Sequence, residues 1–94
     1  MRALLCSFFL SVLALASSGA KTVVVLDPGH GGKDNGARWY GISEKTLNLD
    51  VAKRVESLLK KKGITVVMTR RTDTFVSLDY RAKIANRHAG AVFV

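Results

Sequence analysis

Two rhythms of hydrophobic and polar positions alternate along residues 22–94. Thr22 to Leu26 (TVVVL) is a continuous β-branched and apolar run that ends in Asp27-Pro28-Gly29. An unbroken run of this kind predicts a short strand covered on both faces. Gly29 to Gly41 contains five glycines and reads as a loop. From Ser43 the period changes. Leu47, Val51, Val55 and Leu58, with Ala52 and Leu59 alongside, recur at helical spacing. They predict a helix reaching about Lys62, with Ser43 as its N-cap and Gly63 as its C′ residue. Ile64 to Thr69 (ITVVMT) is a second strand, and Arg70 to Phe75 a polar loop. Ser77 is placed to cap a second helix running to about His88, with Leu78, Ala82, Ala85 and Ala89 on one face and Ile84 near it. Gly90 closes it, and Ala91-Val92-Phe93-Val94 opens a third strand.

The order β-α-β-α-β predicts an α/β fold: part of a mostly parallel, twisted sheet with flanking helices, joined by right-handed crossovers. Three strands and two helices leave open edges and uncovered faces. With its last apolar run reaching only Val94, the chain reads as incomplete at the C-terminus, a portion of a larger α/β domain. Ligands of such sheets gather beyond the carboxyl ends of the strands. Asp27 to Gly32 and the approach to Ser43 are the segments expected there.

Residues 1–20 have a different character. Met1-Arg2 is followed by an apolar stretch from Ala3 to Ala16, broken only by Ser7 and Ser11, and then by Ser17-Ser18-Gly19-Ala20. A basic start, a short apolar middle and small residues three apart predict a secretory signal peptide. Cleavage is expected after Ala20, with Ala16 as second choice. The stretch is short of the roughly 20 apolar residues a membrane span needs, so no stable membrane anchor is expected after cleavage. The lone cysteine, Cys6, lies inside this leader, which excludes a disulfide scaffold. The remaining chain, residues 21–94, is expected to be exported to a periplasm or an extracellular cell wall.

Net charge is +8, and Arg2 is the only charged residue ahead of Lys21, so residues 21–94 carry +7. A basic exported protein suits an anionic cell-wall polymer better than nucleic acid, which it rarely meets. Part of the excess has a simpler use: Lys60-Lys61-Lys62 fall in the last turn of the first helix, where the macrodipole favours cations.

The chemistry concentrates in Asp27-Pro28-Gly29-His30-Gly31-Gly32. An imidazole at the mouth of the first strand, between glycines that let backbone approach closely, is well placed as a metal ligand. Glu44, beside the helix cap, is a second candidate. Histidine and glutamate converging there would supply two of the three protein ligands of a catalytic zinc. Glu44 is equally readable as a first-turn acid, and Asp27 as a loop brace or a plain turn residue. Two phosphate-loop patterns fail. A Walker loop needs glycine where Asp27 stands and Ser or Thr where Asp34 stands, and the dinucleotide fingerprint needs glycine at Asp34.

Five stretches, in order and spacing, carry a more specific signal. They are VVVLDPGHGGKDNGA (Val23 to Ala37), SEKTLNLDVA (Ser43 to Ala52), VVMTR (Val66 to Arg70), TDTFVSL (Thr72 to Leu78) and RAKIAN (Arg81 to Asn86). Together they resemble the N-terminal half of the catalytic domain of zinc-dependent N-acetylmuramoyl-L-alanine amidases, the amidase-3 cell-wall hydrolases. That resemblance implies that residues 21–94 are the N-terminal part of an amidase catalytic domain. It also implies that His30 is the first zinc ligand and Glu44 the second. The family's third ligand, a histidine in a segment like Ser-Ile-His-Ala-Asn after the third strand, and its later catalytic glutamate have no counterpart up to Val94. No general base is therefore assigned within these residues, and His88, ahead of the third strand, is no substitute. Arg81 and Asn86 match the pattern without an evident chemical role.

The implied reaction is hydrolysis of the amide joining the lactyl group of N-acetylmuramic acid to L-alanine of the stem peptide in peptidoglycan, by zinc-activated water. The resemblance implies Zn2+ as cofactor and peptidoglycan as partner, and leaves any activator or wall-binding module unidentified. With two ligands and no base, the 94-residue chain is expected to be inactive by itself. Two other readings stay open: a non-catalytic wall-binding or interaction protein of the same fold, and a metal-binding fragment that completes its site with a partner chain.

Overall fold

The structure, a computed structural model, describes residues 21–94. The segment read as a leader, residues 1–20, lies outside the described residues. The elements are β1 (Val23–Leu26), β2 (Arg38–Trp39), β3 (Ile42–Ser43), α1 (Glu44–Lys61), β4 (Thr65–Met68), α2 (Leu78–Arg87) and β5 (Val92–Phe93).

The β-branched run does become the central strand. β1 lies between β4 and β5, parallel to both, with Val23 opposite Thr65, Leu26 opposite Met68, and Val25 opposite Phe93. The ladder continues past the strand ends through Thr69 N–H to Leu26 O (3.0 Å) and Asp27 N–H to Val94 O (2.7 Å). Successive side chains of a strand alternate faces, yet Val24, Val25 and Leu26 are 8%, 0% and 4% exposed. Both faces of β1 are therefore covered. The chain steps from β1 to β4 on one side and from β4 back across to β5 on the other. Right-handed crossovers then place the two helices on opposite faces. The reversal of direction at β1 makes its carboxyl end a topological switch point, where open α/β sheets bind ligands.

α1 ends as its sequence predicts. Gly63 adopts φ 77°, and its N–H bonds to Lys60 O while Ile64 N–H bonds to Leu59 O, a Schellman closure. At the other end Ser43 stands at the N-cap position, but its side chain makes no capping bond. Ser43 is held in β3 opposite Arg38. The preceding loop caps the helix instead, Ala37 O accepting from Glu44 N–H (2.8 Å) and Asn35 O from Lys45 N–H (3.1 Å). Ser77 does cap α2, its Oγ accepting from Tyr80 N–H at 3.1 Å.

Two faces differ from their periodicity. On α1 the buried residues are Ala52 and Glu56, whereas Leu47, Val51 and Leu58 are more than half exposed. Leu47 and Val51 border an open groove with Leu26, Val55 and Val94. The apolar stripe is wider than the three-stranded sheet beneath it. On α2, Leu78 is exposed and Arg81 and Ile84 are buried. The helix is turned so that Arg81 faces the loop after β1, a polar demand that an apolar pattern does not record. Between that loop and α1 the chain also forms a small antiparallel hairpin, β2–β3. Tyr40 and Gly41 at its tip have φ 50° and 76°, the left-handed pair that a two-residue hairpin turn requires.

Candidate functional site

The loop Asp27–Gly36 leaves the carboxyl end of β1 and folds back on itself. Gly31 and Asp34 exchange backbone hydrogen bonds of 2.8 and 3.0 Å. The tight return needs left-handed backbone at His30 (φ 65°), Gly32 (φ 56°) and Gly36 (φ 64°). This conformation costs His30 about 1 kcal/mol relative to glycine.

The ring is gripped at both nitrogens. Nδ1 lies 2.8 Å from Asp34 Oδ2, and Nε2 lies 3.2 Å from Glu44 Oε2. Asp34 is itself fixed, its Oδ1 accepting from Gly36 N–H at 3.1 Å. Glu44 is fixed by Ala37 N–H, which donates to Oε1 at 3.0 Å. The Asp34 carboxylate, with Glu44 beyond the other nitrogen, raises His30 above the ordinary imidazole range. Glu44 is held below the usual carboxylate range, first by the Ala37 N–H and then by His30. Asp34 is lowered chiefly by His30.

The donor set fits a zinc ion. An imidazole nitrogen and a carboxylate oxygen converge, both partly open to solvent, and a carboxylate stands behind the imidazole, the arrangement that fixes a metal-binding tautomer. Glycine at 36 keeps the space clear: a Cβ there would come within 2.6 Å of His30 Cδ2 and 2.7 Å of Glu44 Oε1. Among the described residues no group of three or more His, Cys, Asp or Glu side chains gathers around a common point. Of the residues singled out in the sequence, His30 and Glu44 thus come together. His88 does not: it borders a hollow with Lys21, Thr22 and Val23, at the opposite end of β1.

A cradle of cations holds the loop in place, and periodicity gave no sign of it. Arg70 is 4% exposed; its guanidinium donates to the carbonyls of Pro28 (2.9 Å), Gly29 (3.0 Å), Lys45 (2.9 Å) and Thr72 (3.0 Å). Burial pulls its pKa down. Arg81 donates to Asp27 Oδ1 at 2.5 Å, to Pro28 O at 2.9 Å and to His30 O at 2.8 Å. Thr69 Oγ1 also donates to Asp27 Oδ1, at 2.7 Å. Asp27 is therefore a brace between β4, α2 and the loop. Lys45 ties Gly32 O (2.9 Å) to Asp73 (2.9 Å), whose other oxygen accepts from Gly32 N–H at 2.8 Å. Asn48 donates to Gly29 O at 3.1 Å. The only sequence signal for these roles was position: Arg70 lies two residues past β4, and Lys45 and Asn48 share one side of α1.

Comparison with known proteins shows which family the chain resembles. Residues 24–94 match the family described as N-acetylmuramoyl-L-alanine amidase (Amidase_3). The chain is 49% identical over 78 residues to N-acetylmuramoyl-L-alanine amidase AmiA of Escherichia coli, covering 82% of this chain and 27% of that protein. To amidase LytC of Bacillus subtilis it is 47% identical over 62 residues, which cover 66% of this chain and 12% of LytC. Among solved structures, AmiC2 of Nostoc punctiforme superposes with a TM-score of 0.74 at 45% identity, over 79% of this chain and 42% of that one. The catalytic domain of the amidase CwlV of Paenibacillus polymyxa gives 0.72 at 47% identity, over 77% and 42%. The chain thus spans roughly a quarter of AmiA and two fifths of these solved chains.

Proposed function

This chain belongs to the N-acetylmuramoyl-L-alanine amidase family, and we propose that it carries the metal-holding part of a peptidoglycan amidase, exported to the cell wall or periplasm. The bond attacked is the amide between the lactyl group of N-acetylmuramic acid and L-alanine. One observation carries this reading: His30 Nε2 and Glu44 Oε2 converge to 3.2 Å at the carboxyl end of the central strand, with Asp34 fixed behind the imidazole.

His30 through Nε2 and Glu44 through its carboxylate would hold zinc. The ion, when bound, supplies a water acidic enough to attack an amide near neutral pH. The chain's own residues set the conditions for that. Asp34, accepting from Nδ1–H, fixes the tautomer that would offer the Nε2 lone pair to zinc in place of the proton Nε2 shares with Glu44 in the metal-free protein. The Ala37 N–H keeps Glu44 ionised and oriented. Arg70, Arg81 and Lys45 hold the carbonyls of the loop so that the pair stays in position while substrate enters from solvent. The basic surface, +7 over residues 21–94, favours approach to an anionic wall.

The test is a chimera in which residues 24–94 replace the matching stretch of Escherichia coli AmiA. Release of the stem peptide from a muropeptide is expected, with zinc bound. His30→Ala and Glu44→Gln abolish both; His88→Ala abolishes neither. A chimera that cleaves equally well with His30→Ala, or one that loses zinc only with His88→Ala, overturns the assignment.

A further inference from the structure

The hairpin β2–β3 carries the most exposed aromatic pair among the described residues. Trp39 is 73% exposed and Tyr40 89% exposed. Their rings stack on each other, centroids 5.5 Å apart with planes 24° from parallel. Neither ring contributes to the core, and the core does not need them there. Tyr40 also occupies left-handed backbone at φ 50°, a position that suits glycine or asparagine and strains a bulky residue. A strained, exposed tyrosine beside an exposed tryptophan points to a binding role.

Location narrows that role. The two rings, with Ala37, Ile42 and Leu47, line a largely apolar hollow of about 370 Å³ whose remaining wall is Glu44. The hollow thus shares Glu44 with the candidate metal site. A ligand seated there must have a flat apolar face for the rings, polar groups around its rim, and no anionic group facing Glu44. A pyranose meets these demands: its axial C–H bonds form an apolar face, its hydroxyls lie at the edge, and an acetamido methyl can lie against Ile42 and Leu47. Tyr and Trp suit such ligands because each joins a large apolar face to a polar tip. A peptide rich in carboxylates suits the Glu44 wall less well.

We propose that Trp39 and Tyr40 form a sugar-stacking platform that seats the muramic ring of the glycan strand, so that its lactyl amide reaches the His30–Glu44 pair. The choice of sugar rests on the amidase reading above; the platform rests on the hairpin.

Trp39 is the sole tryptophan of the chain, so its emission reports this hollow alone. The full chain is titrated with the N-acetylglucosamine–N-acetylmuramic acid disaccharide whose lactyl carboxyl is capped as a methylamide, and separately with the stem peptide lacking sugar. The disaccharide is expected to shift Trp39 emission saturably, with or without a metal chelator. Tyr40→Asn, which relieves the backbone and removes the ring, weakens this affinity about tenfold; Tyr40→Phe retains it. A silent tryptophan, an equal response to the peptide alone, or unchanged affinity in Tyr40→Asn overturns the proposal. Zinc bound by the chain with a silent tryptophan leaves the amidase reading intact and removes the platform. A saturable sugar response from the chain, together with an AmiA chimera that binds no zinc, supports the platform and removes the metal assignment.

Discussion

At the scale of single residues, the site depends on one position with no side chain and one with no charge to spare. Gly36 is left-handed and lies against both candidate ligands, so Gly36→Ala strains the backbone and pushes His30 from Glu44. The expected outcome is at least a tenfold loss of zinc affinity, measured by competition with a chromophoric chelator. Asp34→Asn keeps the size of the side chain but weakens the hold on Nδ1–H; a 10–100-fold loss of zinc affinity is expected, with the fold intact by circular dichroism. Arg70 is different, because its loss affects the fold. Lysine cannot reach all the carbonyls that the guanidinium serves, and Arg70→Lys leaves several of them without a buried partner. A loss of about 3 kcal/mol in urea unfolding is expected. Much of this was not legible in the sequence. Histidine and glutamate are recognisable ligands, but Arg70 and Arg81 look like surface cations until the fold brings Pro28, Gly29 and His30 beneath them. Tyr40 hid its turn because the favoured first residue of such a hairpin is asparagine, aspartate or glycine.

Single elements follow their sequence signals where those signals are local. The β-branched run, the Schellman glycine at 63 and the Ser77 cap are each decided within a few residues, and each stands where the pattern puts it. Ser43 stands at the N-cap of α1 with an extended backbone like that of Ser77, but its hydroxyl makes no capping bond, and Asn35 O already accepts from Lys45 N–H. The two serines therefore make a controlled comparison. Ser77→Ala removes the bond to Tyr80 N–H and is expected to cost about 1 kcal/mol. Ser43→Ala removes no capping bond and is expected to shift thermal unfolding by less than half as much. Equal effects would show that the loop carbonyls of Asn35 and Ala37 are not the working cap of α1. The helix faces were harder to read because periodicity finds an apolar stripe without its limits. Leu47 and Val51 match the period of the buried positions, yet the sheet ends before it reaches them.

Over the whole molecule, charge is distributed so that buried or bridging carboxylates answer cations from distant elements. Glu56, buried on α1, is chelated by Arg71, with Nη1 at 2.9 Å from Oε1 and a second contact from Nη2 to Oε2. Arg71 holds its pKa below the usual carboxylate range. Lys45 does the same for Asp73. A carboxyl with a folded pKa below its unfolded value contributes stability that is complete above the unfolded pKa and is lost as pH falls through the folded one. The carboxyl contributions to the unfolding temperature are therefore expected to hold from neutrality to about pH 5 and to be lost progressively below about pH 4, while His30, raised in the fold, adds stability as pH falls through its folded pKa. In Glu56→Gln the acid limb is shallower and stability at pH 7 lower; an identical limb would show that this pair does not link the two elements.

The partners that hold the loop lie far along the chain. Pro28 waits for Arg70, 42 residues later, and His30 O for Arg81, 51 residues later. The first functional segment to emerge from a ribosome, or from a translocation pore entered N-terminus first, is accordingly the last to take its shape. Until position 81 has arrived, His30 and Glu44 have only the local contacts of Asp34, Asn35 and Ala37 to bring them together. If the pair holds zinc as proposed, metal acquisition would be timed by the length of chain delivered and would take place in the compartment where that delivery is completed.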